Sequence, residues 1–501
     1  MKKICSILSI LTSGILSAQE NNRPNILFIM ADDHTSQAIS AYGGLLAPYM
    51  PTPNIDRIAH EGVRMNNCFV TNSISTPSRA CILTGQYSQK NGVYTLDDSL
   101  DPAHPNVAKE LQQSGYQTAI IGKWHLGNEP AGFDYYNILP GQGRYKNPLL
   151  IEKGGWKQGT DGEHQTKEYA GHSTDVITDE TIKYLQSLDG RQPFFIMCHF
   201  KSPHDPWEPA DRFKNLLSDV TIPEPANMLD TYEGKGAYTK TLTNGLEHIG
   251  PGLKGKMPPD TMTRDEKRHF AYQIYIKDYL RCVAGIDENV GRLLDFLEAN
   301  GLSENTVVIY TGDQGFFLGE HGWYDKRLMY EECLRMPLLI RYPKEIKAGK
   351  TNNDMVLNLD FAPLFLDYAG EQTSAWMQGE SFRKNLTGKT PRNWRKSIYY
   401  RYWMHGDWWH NVPGNYGIRT ERYKLILYYS QPLGMHGAKN ETRPPEWELY
   451  DLKKDPSEMH NLYNDPKNAR IIQKLKKELL KLKEKYDDTD DKYPVMHNFL
   501  K

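Results

Sequence analysis

The chain has 501 residues, enough for a large core and for two or three domains. Its 60 Lys and Arg against 62 Asp and Glu leave a formal net charge of −2, which gives no electrostatic basis for nucleic acid as a partner. Six widely spaced cysteines show neither a disulfide framework nor zinc-ligand spacing.

Met1-Lys2-Lys3 is followed by a mostly apolar run over 4–16, too short to span a membrane, and then by Ser17 and Ala18. This pattern predicts a signal peptide over 1–18, cleaved near Gln19, and an exported, periplasmic protein with no membrane span. The first apolar strand, 25–31, ends in Asp32-Asp33. Helices are expected over 54–60, 106–113, 175–188 and 264–297. Three more apolar runs fall among them. Residues 117–121 lead into Gly122-Lys123-Trp124-His125, 193–200 into Lys201-Ser202-Pro203-His204, and 306–310 into Thr311-Gly312-Asp313-Gln314. Strand and helix alternate, so the fold class is α/β, with a doubly wound sheet. Two long stretches rich in Gly, Pro and polar residues, 127–171 and 223–259, are expected at the rim of a cleft.

Apolar periodicity lapses over 378–395, which sets the expected boundary between a catalytic domain, 19–385, and a C-terminal α+β subdomain, 386–501. Beyond it lie a Trp- and His-rich loop (401–416), an alternating strand (417–429) and a second strand (446–452), together a small antiparallel sheet. Ile471, Ile472, Leu475, Leu479, Leu482 and Tyr486 mark the buried face of a closing helix.

In a parallel sheet the four strand ends share one edge, where open α/β sheets keep their ligands. Lys123, His125 and His204 then face Asp32, Asp33 and Asp313 across one cleft. Adjacent buried acids repel unless a cation holds them. Asp32, Asp33, Asp313 and Gln314 form an all-oxygen set that favours a hard cation such as calcium over zinc. Ser75, in Ser75-Thr76-Pro77-Ser78-Arg79, should open a helix because Pro77 suits a first turn. A hydroxyl there is a weak nucleophile until it is activated.

The positions Ser75, Pro77, Ser78, Arg79, Thr84 and Gly85 resemble the signature of the type I sulfatases. The resemblance extends through Asp32-Asp33, Gly122-Lys123-Trp124-His125, Pro203-His204, Gly312-Asp313-Gln314-Gly315 and Asp325-Lys326. It implies an alkaline-phosphatase-like mixed sheet with a smaller C-terminal antiparallel sheet, one calcium ion, and conversion of Ser75 to formylglycine (3-oxoalanine). By the same resemblance Asp32, Asp33, Asp313 and Gln314, with Ser75, hold calcium. Arg79 and Lys123 stabilise the anion on residue 75, His204 and Lys326 bind sulfate and protonate the leaving group, and His125 acts as the base. The family more often carries Cys in place of Ser75 and Asn or His in place of Gln314. Serine implies a radical-type maturation enzyme as transient partner.

The loop with His405, Trp408, Trp409 and His410, and the segment 416–425, resemble carbohydrate sulfatases, including those acting on 6-sulfated N-acetylglucosamine. His405, Trp408 and His410 are therefore the expected contacts to a sulfated sugar of glycosaminoglycan or mucin type. Two rival readings share the scaffold. One is a metal-dependent phosphatase or phosphodiesterase using unmodified Ser75, the other an inactive sulfated-glycan binding protein.

Overall fold

A computed structural model describes residues 23–157, 164–497 and 499–500. The expected signal peptide, 1–18, lies outside the described residues. In chain order the strands are β1 (Asn25–Ala31), β2 (Val63–Phe69), β3 (Gln117–Lys123), β4 (Tyr135–Leu139), β5 (Leu149–Glu152), β6 (Lys167–Glu168), β7 (Phe194–Phe200) and β8 (Thr306–Gly312). A two-stranded ribbon follows, β9 (Phe317–Leu318) with β10 (Tyr324–Asp325), and then β11 (Arg335–Arg341), β12 (Lys350–Asn352) and β13 (Val356–Leu357).

The main sheet has 11 strands in the order β12-β2-β11-β8-β1-β7-β3-β4-β5-β6, with β13 also on β2. β8, β1, β7, β3 and β4 are parallel neighbours, so four of the acid-, lysine- or histidine-bearing strand ends emerge side by side. β11 runs antiparallel between β2 and β8, which makes the sheet mixed.

β1 is apolar on both faces because both are covered. Ile26, Phe28 and Met30 join one core with the helices Ser75–Thr84, Val107–Gln113 and Phe361–Ala369. Leu27, Ile29 and Ala31 join another with Pro53–His60, Ser173–Ser187 and the C-terminal half of the 36-residue helix Arg264–Ala299. Among the described residues no helix is long and apolar enough to cross a membrane. Cys68, Cys81, Cys198, Cys282 and Cys333 are all buried and free.

The C-terminal part forms a second sheet, β14 (Ser397–Tyr402), β15 (Asn415–Thr420), β16 (Tyr423–Tyr428) and β17 (Glu446–Asp451), fully antiparallel. The helix Ala469–Lys485 lies on it through Ile472, Leu475 and Leu479, which belong to the same core as one face of the main sheet.

Two expectations are corrected. The strand expected over 417–429 is a hairpin: Thr420 Oγ1 accepts from Tyr423 N at 2.9 Å and closes a tight turn at Glu421 and Arg422. The stretch 127–171 is more than rim, because β4, β5 and β6 within it extend the sheet.

Candidate active site

Consecutive residues of a strand point to opposite faces, so Asp32 and Asp33 could not serve one site if β1 simply continued. The chain turns at Asp33, whose φ is +64°, and both carboxylates then lie on the same side of the break. Asp33 N–H donates to Asp313 Oδ1 at 3.0 Å, tying the end of β1 to the end of β8. Gln314 Nε2 lies 2.5 Å from Asp33 Oδ1 and 2.7 Å from Asp313 Oδ1, while its Oε1 is buried without a partner.

Ser75 is the first residue of the helix Ser75–Thr84, all ten residues of which are buried. Its Oγ donates to Asp32 Oδ1 at 3.1 Å. Arg79, one turn on, lies on the same helix face. Its Nε and Nη2 donate to Asp313 Oδ2 at 3.1 and 2.9 Å, and Nη1 donates to the Lys123 carbonyl at 2.9 Å. Lys123 Nζ donates to Asp32 Oδ2 and, at 2.5 Å, to Gln142 Oε1. Lys326 Nζ reaches both oxygens of Asp33, at 2.6 and 2.7 Å. His204 Nε2 lies 3.7 Å from Asp33 Oδ2, and its Nδ1 pairs with Asp205 Oδ1 at 2.8 Å.

Three carboxylates and three cations thus share one buried point. Burial works to raise the Asp32 carboxyl, but Lys123, His204, Arg79 and Lys326 outweigh it and hold it well below the usual range. Asp313 is pushed up to about 7 by burial and by Asp32 beside it. Burial pulls the Lys123 ammonium down to about 8 against the attraction of Asp32. His125 is held neutral by burial and by Lys123; its Nδ1 has no partner.

The acid set fits a hard divalent cation. Ligand atoms of Asp32, Asp33 and His204 lie within 4.8 Å of one another, Asp313 adjoins them, and the orphaned Gln314 oxygen supplies a neutral donor. Such a cation would satisfy the mutual repulsion that otherwise drives Asp313 toward protonation.

The C-terminal loop reaches this site from the side. His410 Nδ1 lies 3.2 Å from Asp407 Oδ1, and its Nε2 lies 3.6 Å from Asp325 Oδ1, next to Lys326. Arg327 pairs with Asp325 and lies 3.6 Å from Asp407. Trp408 and Trp409 are 79% and 76% exposed. His405 is fully buried and its Nδ1 accepts from Gly414 N–H at 3.1 Å, so it supports the loop from inside and does not face solvent.

Sequence reasoning missed Gln142, Asp205, Arg327 and Asp407, and it noted Lys201 and Asp325 without giving either a role. Lys201 Nζ donates to the Asp205 carbonyl at 3.1 Å and sits over the Tyr145 ring. Lys201 and Asp205 flank His204 and could have been found from it, as Asp325 and Arg327 could from Lys326. Gln142, in a Gly-rich loop, carried no signal.

A family model described as Sulfatase matches residues 24–371, and one described as N-sulphoglucosamine sulphohydrolase, C-terminal, matches 319–485. The chain is 41% identical to an N-acetylglucosamine-6-O-sulfatase of Bacteroides thetaiotaomicron, over 96% of this chain and 90% of that protein. It is 28% identical to the human N-acetylglucosamine-6-sulfatase, over 77% of this chain and 68% of that protein. A solved structure of a protein in complex with its substrate D-glucosamine-2-N,6-O-disulfate superposes with a TM-score of 0.85 at 40% identity, covering 94% of this chain and all of the other. A phosphonate monoester hydrolase of Agrobacterium radiobacter shares the fold, with a TM-score of 0.72 at 21% identity, over 93% of this chain and 96% of that one.

Proposed function

The chain belongs to the sulfatase family and is a sulfuric ester hydrolase, and from that premise we propose that it removes the 6-O-sulfate of N-acetylglucosamine in sulfated glycans. The observation that carries this reading is the Ser75 hydroxyl, 3.1 Å from Asp32 within a ring of three carboxylates, Arg79, Lys123, Lys326 and His204. Support for the sugar comes from the 41% identical relative and from the neighbour bound to a 6-O-sulfated glucosamine.

A formylglycine at position 75 would supply the nucleophilic hydroxyl, and calcium held by Asp32, Asp33, Asp313 and Gln314 would supply Lewis-acid polarisation of the sulfate. Arg79 and Lys123 place cationic groups beside residue 75 and stabilise negative charge on its oxygen. His204 and Lys326 bind the sulfate and deliver a proton to the departing sugar oxygen. His125, neutral with a free Nδ1, takes a proton from residue 75 as sulfate leaves. Trp408 and His410 meet the sugar from the C-terminal loop. The protein is exported to the periplasm and matured by a radical-type enzyme that accepts serine.

Two measurements test this. In protein purified from cells supplied with such a maturation enzyme, the peptide containing Ser75 should lose about 2 Da and react with a hydrazine probe, as an aldehyde does. The same protein should release sulfate from N-acetylglucosamine 6-sulfate faster than from 4-sulfated galactosamine or from an aryl sulfate. Intact serine under these conditions overturns the maturation step. Preference for another ester overturns the substrate and leaves the family standing.

A further inference from the structure

The turn at Asp33 is a backbone strain that something must hold. A positive φ at a residue other than glycine costs on the order of 1 kcal/mol or more, and it persists only where its surroundings over-determine it. Asp33 N–H is tied to Asp313. Its carbonyl, and with it the plane of the peptide to His34, is tied by one group: Tyr279 Oη donates to Asp33 O at 2.7 Å and accepts from Thr35 N–H at 3.2 Å. A single phenol thus closes both sides of the turn that brings the second carboxylate round to the first.

Tyr279 belongs to a row on the helix Arg264–Ala299. Tyr272, Tyr275 and Tyr279, spaced three and four residues apart, lie on one helix face and are completely buried. Each phenol donates to a backbone carbonyl of a different segment. Tyr272 reaches the Pro223 carbonyl at 2.8 Å, Tyr275 the Phe317 carbonyl at 2.9 Å, and Tyr279 the Asp33 carbonyl. The Tyr279 ring stacks on Phe316 and meets Tyr275 edge-on, so its hydroxyl has little freedom to go elsewhere. Of the three phenols, that of Tyr279 is the one hydrogen-bonded to a residue of the acid set.

We infer that Tyr279 is a positioning residue for the cation site, fixing through the Asp33–Thr35 turn the direction in which the Asp33 carboxylate presents its oxygens. This rests on the reading of Asp32, Asp33, Asp313 and Gln314 as cation ligands. The phenol itself touches neither cation nor substrate. Groups that orient ligands from behind a metal commonly change its affinity about 10- to 100-fold when removed.

The test compares Tyr279→Phe with Tyr272→Phe in the full-length protein. Both lose one buried phenol from the same helix face, and both keep the ring, so packing is retained. Each protein is stripped with a chelator and titrated with calcium chloride, followed by calorimetry and by the rise in Tm. Tyr279→Phe should bind calcium at least about tenfold more weakly than the parent, while Tyr272→Phe binds as the parent does. Parent-like affinity in Tyr279→Phe overturns the inference, and so does equal weakening in both variants, which would mark a general loosening of the helix. No calcium binding by the parent would remove the cation reading, and this inference with it, while sulfate release by the parent reports separately on the activity.

Discussion

At the scale of single residues, the site depends on close approaches that the side chains alone do not reveal. Gly122 precedes Lys123 on β3 with a φ of +100°, and a Cβ there would lie 2.0 Å from the His199 carbonyl of the neighbouring strand. No side chain fits without parting β3 from β7, which would carry Lys123 away from Asp32. Gly122→Ala should therefore cost at least about 2 kcal/mol in denaturant unfolding and lower kcat/KM about 100-fold through misplacement. Parent-like turnover would show that Lys123 tolerates the displacement. On the sugar side, His410→Ala should lose carbohydrate turnover while aryl sulfate turnover stays near that of the parent, because His410 pairs with Asp325 and Asp407. Equal loss on both substrates would place it in the sulfate chemistry instead. Asp32, Asp33, Lys123, His125, His204, Asp313 and Gln314 were legible from sequence because each lies at or just past the end of an apolar strand, whereas Ser75, Arg79 and Lys326 were legible through their motifs. His405 looked equivalent to His410 in the same loop, yet one is sealed inside and the other is not. Residue type cannot distinguish a ring that accepts a backbone N–H from one that meets solvent.

At the scale of elements, strand ends and helices were readable and strand pairing was not. The apolar runs before Asp32, Lys123, Lys201 and Asp313 became β1, β3, β7 and β8, since a strand buried on both faces has to be continuously apolar. β2 reads VRMNNCF and alternates only weakly, so it gave little signal; it gains its place by pairing with β11 and β12. The hairpin at Thr420 was concealed because its polar run Arg419-Thr420-Glu421-Arg422 contains no Gly, Pro, Asn or Asp to mark a turn. The closing helix docks through more than its apolar stripe. Arg401 of β14 and Asp488, just past the helix, are each about 1% exposed and pair at 2.6 Å, with Lys483 at 3.5 Å and Tyr399 donating to the same carboxylate. Breaking a buried pair from one side strands a charge, so Arg401→Met should cost about 3–5 kcal/mol. Adding Asp488→Leu should recover part of that loss in urea unfolding, because it removes the half-compensated carboxylate while Lys483 keeps Asp490 at 3.1 Å. If the double variant is as unstable as the sum of the single ones, the pair contributes through shape and not charge.

At the scale of the whole molecule, the sequence fixes which edge of the sheet carries chemistry but leaves the other layer's identity open. The core on one face of β1 runs on into the small C-terminal sheet, and contacts of that range are invisible to periodicity. The same burial that unites the layers makes stability sensitive to acid. His321 and His405 are completely buried, and burial pulls each imidazole down to about 4, Asp230 opposing this at His321 and Arg443 adding to it at His405. In the unfolded chain both titrate near 6.5. Between those values the unfolded state binds more protons than the folded one, so stability is full above about 6.5, falls with pH, and the loss is complete below about 4. Asp325, held down to about 2 by Arg327, His410 and Lys326 against its burial, adds its loss at lower pH. Asp313 and Asp287, raised to about 7 and about 6, titrate across the histidine window with the opposite sign, so the His405 contribution is read as the difference between the parent and variant Tm curves from pH 6.5 to 4. His405→Asn keeps an acceptor where Nδ1 receives the Gly414 N–H and has no proton to gain, so its Tm should fall less steeply over that window while matching the parent near neutrality. A parallel curve would assign the acid sensitivity to other groups. A flatter one would assign part of the protein's loss of stability in acid to the protonation of buried His405.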